Sequence, residues 1–316
     1  MGDLVLATPF LQAACQRFEV TLLAKPYAHD LQRRFWPSVR VFTFSAPWTA
    51  FRRKYRLHRW PWRGLFRLRR QLATEGFQFG LSARWDPRDH LLLWLSGVER
   101  RLGFPRLKSQ FFLTDAILRP APTAHRYEHW RALAEALHFV LPPREQVNAG
   151  PHPPGTHVLI HSGAGQSVRV WPLPRYRHLA TRLRSLGYKV QVACDPDQRE
   201  WWLLAGEREV ITPSTVGALM EVIAGAGAFI GNDSGPSHLA AFCDLPTFTI
   251  FGPQLPEWFA PLHPRGEWLA GKPCPYKPCS DYCRFPEPYC MVRSSEDEVT
   301  ARVTAFLASC LQGGCR

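Results

Sequence analysis

Asp233 and His238 are the side chains that type and spacing best place to work on a bound anion. They lie in Gly231-Asn232-Asp233-Ser234-Gly235-Pro236-Ser237-His238, between the unbroken apolar run Ala228-Phe229-Ile230 and the apolar segment Leu239-Ala240-Ala241-Phe242. A run without a polar break reads as a strand buried on both faces. Pro236 suits a first helical turn, where its missing N–H would have had no partner, and Ser234 stands where a helix is capped. Thr247–Phe251 reads as the next strand and ends at Gly252-Pro253. The whole is a βαβ unit, whose turn offers backbone N–H groups and a helix N-terminus to a phosphate-like anion. Many such turns use Gly and Ser for conformation alone. Here, however, a carboxylate at the strand end and an imidazole on the following helix occupy the place where open α/β sheets bind ligands.

A similar Gly-rich turn, Ser162-Gly163-Ala164-Gly165-Gln166, follows the strand-like His157–His161. Arg169 comes two residues before Trp171-Pro172, and Asp3 lies at the start of the chain. By position alone, Asp3 reads as a helix cap and Arg169 as a surface arginine. Cys274, Cys279, Cys283 and Cys290 are spaced C-x4-C-x3-C-x6-C. A zinc site usually shows at least one C-x2-C pair, and the odd total of nine cysteines does not describe a secreted disulfide scaffold. Neither a metal nor a cofactor is expected.

The elements that must hold these residues alternate between strand and helix. A helix over Leu4–Cys15, interrupted at Thr8-Pro9, is followed by strand Phe18–Ala24, helix Tyr27–Phe35 and strand Val39–Phe44. Strand Phe77–Ser82, helix Asp89–Val98, a short strand at Arg101–Phe104 and helix Tyr127–Val140 come next. Pro142–Gly155 holds five prolines and two glycines and reads as an interdomain linker. Beyond it lie helices from Pro174 to Gly187, over Arg199–Ala205 and over Val216–Ala224, and strand Lys189–Cys194. The chain closes with a helix opened by the capping box Ser295-x-x-Glu298, its Val299, Val303, Phe306 and Leu307 facing inward. This alternation predicts parallel sheets with right-handed crossovers, in domains 1–148 and 149–316.

Charge is concentrated in one place. The chain of 316 residues carries a net +13, yet Leu31–Thr74 contains twelve Arg or Lys and no Asp or Glu. Trp48, Phe51, Tyr55, Trp60, Trp62 and Phe66 stand among those cations, which include Arg52, Arg53, Lys54 and Arg56. A solvated face rarely excludes acids so completely. Anionic lipid with tryptophans at the interface suits the segment; nucleic acid is the second reading and is not the partner expected. No apolar run reaches the ~18 residues of a membrane helix, and Asp3 ahead of an apolar stretch without basic residues argues against a signal peptide. A cytoplasmic location is expected, with peripheral attachment to an anionic membrane surface.

V-L-I-H-S-G-A-G-Q-S-V-R-V-W-P, A-G-A-F-I-G-N-D-S-G-P-S-H-L-A-A-F and the opening G-D-L-V-L-A-T-P-F-L-Q-A resemble glycosyltransferase family 9, the heptosyltransferases of lipopolysaccharide core assembly. The resemblance implies an α/β GT-B fold of two Rossmann-like domains with parallel sheets facing a central cleft. It implies an inverting, metal-independent transfer from a nucleotide-sugar donor of ADP-heptose type to a lipid-linked saccharide acceptor. Asp3 falls on the family's general-base position. Ser162, Gly163, Gly165, Arg169, Asp233, Ser234, Gly235 and His238 fall on its donor-binding positions. Family members carry a strand before the G-D motif, where only Met1 precedes Gly2 here; a mis-assigned or truncated start, or a sheet lacking its central strand, is expected from this. The alternative functions are the same fold with another donor sugar or acceptor, or an inactive basic membrane- or nucleic-acid-binding protein.

Overall fold

The structure is a computed structural model describing residues 1–50, 55–147, 150, 155–279 and 282–311. Its first half holds two separate parallel sheets. Strands β1 (Thr21–Ala24) and β2 (Arg40–Thr43) form one, and β3 (Phe79–Ser82), β4 (Arg100–Gly103) and β5 (Asp115–Ala116) form the other. The second half is one parallel sheet in the order β10-β9-β8-β6-β7, built from β6 (His157–His161), β7 (Val190–Ala193), β8 (Ala226–Asn232), β9 (Thr247–Phe251) and β10 (Gly266–Ala270). Ala228, Phe229 and Ile230 are fully buried, as their unbroken apolar run requires. His161 is in register with Gly231. That register sets the two glycine-bearing turns side by side at the C-terminal edge of the sheet.

Nine helices matter to the site: α1 (Gly2–Ala14), α2 (Ala28–Phe35), α3 (Trp62–Thr74), α4 (Pro87–Leu95), α5 (Tyr127–Ala136), α6 (Leu173–Ser185), α7 (Arg199–Leu204), α8 (Val216–Ala224) and α9 (Gly235–Phe242). The helix α1 runs through Pro9, burying Val5, Leu6, Phe10, Leu11 and Ala14. It packs on α5 and on α9, and its first residues lie against the turn after β8. One continuous core joins α1, α2 and α5 to α8 and α9, through residues such as Phe10, Leu31, Leu133, Leu219 and Leu239. A second core, including Trp171, Tyr176, Trp202 and Phe306, fills the other face of the large sheet. There the last helix, Glu296–Leu311, buries Val299, Val303, Phe306 and Leu307, and the Glu298 N–H reaches Ser295 Oγ at 3.5 Å.

The halves also meet through polar contacts at the rim of this shared core. Asp30 accepts the Gly217 N–H at 2.9 Å, the Arg126 N–H bonds Trp258 O at 3.0 Å, and His125 Nε2 reaches Ala260 O at 3.0 Å.

Two expectations need correction. The proline-rich stretch Pro142–Gly155 is partly packed: Arg144–Gln146 forms a 3-10 turn, Val147 is buried, and Tyr127 Oη donates to Pro142 O at 2.9 Å. Proline removes backbone donors, but it does not keep a neighbouring apolar side chain out of a core. The expected boundary, 148/149, lies outside the described residues. The second correction concerns Asp3: it does not cap α1. The cap position is Met1, and Asp3 lies in the first turn without a capping bond.

Arg52, Arg53 and Lys54 lie outside the described residues, while Arg56 is exposed. Downstream, α3 buries only Leu68 and Leu72. Among the described residues no helix is long and apolar enough to cross a membrane.

Candidate active site

Asn232, the last residue of β8, organises the two glycine-bearing turns. Its Oδ1 accepts the Trp171 N–H and the Tyr176 hydroxyl, each at 2.9 Å, while Nδ2 donates to Ser162 O at 2.8 Å. One buried amide thus ties the end of β8 to the turn after β6 and to the segment that carries Arg169. Sequence reasoning passed over it. The available signal was an amide closing an apolar strand, since a buried polar side chain must find partners.

Beside it, Arg169 pairs with the buried Asp233, Nη1 to Oδ2 at 3.1 Å. Burial pushes the Asp233 carboxyl up to about 6, against the pull of Arg169, and the charge of Asp3 adds to the rise. Near neutrality Asp233 is therefore mostly ionised and holds the guanidinium. The same shift has a sign for stability. A carboxyl raised from 3.8 to about 6 keeps a proton in the folded chain that the unfolded chain releases, so its contribution falls as pH rises across that window. Asp233→Asn should remove this fall. Denaturant unfolding of both proteins at several pH values should show the variant gaining on the parent from about pH 4 to 6; parallel curves would refute the assignment.

The helix α9 starts at this pair. Ser234 holds its cap position with extended backbone, as expected, but its side chain makes no capping bond. Ser234 Oγ and His238 Nδ1 are both buried without a hydrogen-bond partner. Burial, reinforced by His125, pushes the His238 imidazole down to about 3, so it is neutral near neutral pH. The start of α1 lies against this surface. A Cβ added to Gly2 would stand 2.8 Å from His238 Cδ2, and Met1 packs against Gly235.

Asp3 follows directly. It is exposed, and among the described residues no hydrogen bond or ion pair engages its carboxylate. Its charge is felt by Asp233 across the cleft and by Arg126 on its own side. Arg126 lies over Trp85 at 4.3 Å, Trp258 at 5.0 Å and Phe259 at 5.3 Å, and Arg119 also lies over Trp85, at 4.0 Å. Burial, then Arg119, lowers Arg126 to about 10, so it remains cationic.

The turn after β6 divides into frame and rim. Ser162 is fully buried: its hydroxyl bonds Gln198 Oε1 at 2.8 Å and accepts Trp202 Nε1 at 3.0 Å. The Gly163 N–H goes to His161 Nδ1 at 3.2 Å, and a Cβ there would stand 2.3 Å from the Asp195 carboxyl carbon. Gly165 is exposed beside an open groove of about 390 Å³ lined also by Ser167, Val170, Leu173, Asp197 and Pro288. Arg169, Asp233, Ser234, Gly235, His238 and Asp3 thus come together, Gly165 borders the neighbouring groove, and Ser162 and Gly163 stand behind as support. The four cysteines Cys274, Cys279, Cys283 and Cys290 surround a separate small cavity with Lys277, all as free thiols.

Residues 66–287 match the family model described as glycosyltransferase family 9 (heptosyltransferase). The chain belongs to glycosyltransferase family 9. It is 28% identical to lipopolysaccharide heptosyltransferase 1 of Pseudomonas aeruginosa, with 67% of each chain covered. It is also 31% identical to lipopolysaccharide heptosyltransferase 2 of Salmonella typhimurium, over 29% of each. Among solved structures, the fold is similar to Escherichia coli heptosyltransferase WaaC with ADP, with a TM-score of 0.71, 18% identity and 96% of each chain covered. The ADP-heptose lipopolysaccharide heptosyltransferase II of the same organism gives a TM-score of 0.69 at 17% identity, covering 98% of this chain and 96% of that one. This family 9 protein is therefore a glycosyltransferase with the GT-B fold.

Proposed function

We propose that this enzyme moves a heptosyl group from a nucleotide-diphosphate donor of ADP-heptose type to a lipid-linked, lipopolysaccharide-core-like acceptor. The observation that carries the reading is the pair of buried, unpartnered groups, Ser234 Oγ and His238 Nδ1, at the start of α9 beside Arg169. A helix N-terminus with a guanidinium beside it receives a diphosphate. The relatives support the substrate: two are named lipopolysaccharide heptosyltransferases, and a neighbouring structure holds ADP-2-deoxy-2-fluoro heptose.

On this reading residues 149–316 bind the donor and residues 1–148 the acceptor. Arg169 turns from Asp233 toward the diphosphate and stabilises the charge that develops on departure, with the α9 N–H groups doing the same from the other side. Gly165 leaves room for the donor at the groove, while Ser162 and Gly163 hold that turn in place. Asp3 takes the proton from the acceptor hydroxyl, which attacks the anomeric carbon opposite the leaving diphosphate and inverts it. The residues named provide the charge stabilisation themselves, so the mechanism proposed is metal-independent. Arg119 and Arg126, held flat by Trp85, face an anionic acceptor. Arg52, Arg53, Lys54 and Arg56 meet an anionic membrane surface at the inner face of the inner membrane, which places the enzyme in the cytoplasm.

Replacing Arg169 with Ala should weaken binding of the nucleotide diphosphate by about 1.5–3 kcal/mol, the range for a hydrogen bond to a charged group. Calorimetric titration of ADP measures it. Equal affinity in variant and parent would remove Arg169 from the donor site.

A further inference from the structure

We propose that this enzyme inserts an apolar edge into the bilayer, formed by Trp62 and Phe66 of α3, Trp94 and Leu95 at the end of α4, and Leu107 and Phe111 in the loop after β4. The inference rests on the anionic-membrane reading above and adds a hydrophobic anchor to it.

Three segments distant in sequence make the edge. In α3, Trp62 and Phe66 are one turn apart and therefore share a face, and both are exposed, Phe66 at 62%. Arg69 Nε donates to Leu95 O at 2.9 Å, which joins α3 to the end of α4. Trp94 then meets the Phe112 ring at 5.7 Å, which joins α4 to the turn Ser109–Phe112. That turn is anchored from below, where the buried His90 and Ser109 side chains pair at 2.9 Å. Above the anchor, Leu107 is 80% exposed and Phe111 75%. Leu107 and Lys108 both adopt left-handed backbone, with φ of 51° and 63°. A leucine is rarely found there, and sparsely populated backbone held at an exposed apolar tip points to use.

Chemistry selects the occupant. Arg59, Arg63, Arg67 and Arg70 are exposed around Trp62 and Phe66, and Arg106 and Lys108 flank Leu107. No acid occurs between Leu31 and Thr74. Cations beside large apolar tips match the boundary between anionic headgroups and acyl chains. Single-stranded nucleic acid would want a π-face at each tip for stacking; Leu95 and Leu107 have none.

The test uses the full chain with sucrose-loaded vesicles of phosphatidylethanolamine and phosphatidylglycerol, pelleted at ~0.1 M and ~1 M salt. That change shortens the screening length from about 10 Å to about 3 Å. Binding of the parent should survive in part at high salt. A Trp62→Ser/Phe66→Ser/Leu107→Ser/Phe111→Ser variant, with ADP binding as the check of folding, should bind at low salt roughly a hundredfold more weakly. At high salt it should be released completely. Binding equal to the parent at both salts would overturn insertion and leave the anionic-surface reading standing. No binding of the parent to these vesicles, or retention of single-stranded RNA in their place, would overturn both.

Discussion

An Asp3→Asn variant should bind the nucleotide-sugar donor as the parent does and transfer sugar about 10²–10⁴ times more slowly, the usual share of general base catalysis. The geometry makes this a clean substitution. Asp3 is exposed in the first turn of α1, whose cap position is Met1, so Asn preserves shape and removes only the charge. Loss of that charge from a first helical turn costs about 0.3–1 kcal/mol of stability, too little to unfold the chain. Donor affinity should be nearly unchanged, because the proposed donor contacts come from the turns after β6 and β8. Calorimetry against ADP and a steady-state transfer assay separate the two effects. Turnover at the parental rate would place the base elsewhere.

The second large effect is expected at Asn232. Asn232→Ala strands the Trp171 N–H and the Tyr176 hydroxyl, each bonded to the amide at 2.9 Å, and leaves the Ser162 carbonyl only its 3.4 Å bond from Gln198 Nε2. Each buried polar group left without a partner costs about 1–3 kcal/mol. A total of about 2–6 kcal/mol for the two is a large part of the roughly 5–15 kcal/mol that holds a typical domain. Burial already keeps the Tyr176 hydroxyl protonated far above its usual range, so it cannot adapt by ionising. Urea unfolding would register the loss as a lower midpoint. Nucleotide binding should fall as well, because Trp171 fixes the segment carrying Arg169. A change below about 1 kcal/mol would mean that water replaces the amide and that Asn232 holds nothing together.

The strands and helices around the site were legible because their signals are local. The apolar run before Gly231, Pro236 after the turn, and the spacing of Tyr176, Leu179, Ala180 and Leu183 each report an element's own burial. The resemblance located Arg169 and Asp3, whose roles no periodicity indicates. The roles of Ser162 and Asn232 were not legible. Ser162 meets Gln198 and Trp202, and Asn232 meets Trp171 and Tyr176. Those partners converge only once a parallel sheet has set its strand ends side by side. A serine in a Gly-rich turn therefore looked like an anion contact while its hydroxyl faces inward. The proline-rich stretch misled for a related reason: composition records which hydrogen bonds are unavailable, and the burial of Val147 depends on what lies beneath it.

The single core that passes from α1, α2 and α5 into α8 and α9 also governs how the enzyme moves. Lobes joined only by a flexible strap can swing apart as rigid bodies. Here Phe35 meets Phe242 edge-on at 5.0 Å across the join, and interdigitated side chains resist being pulled apart. Relative movement of the halves then takes the form of shear, small slides between packed helices absorbed by rotamer changes. Because α1 is part of that shared core, on the function proposed above any slide that admits a donor carries Asp3 with it.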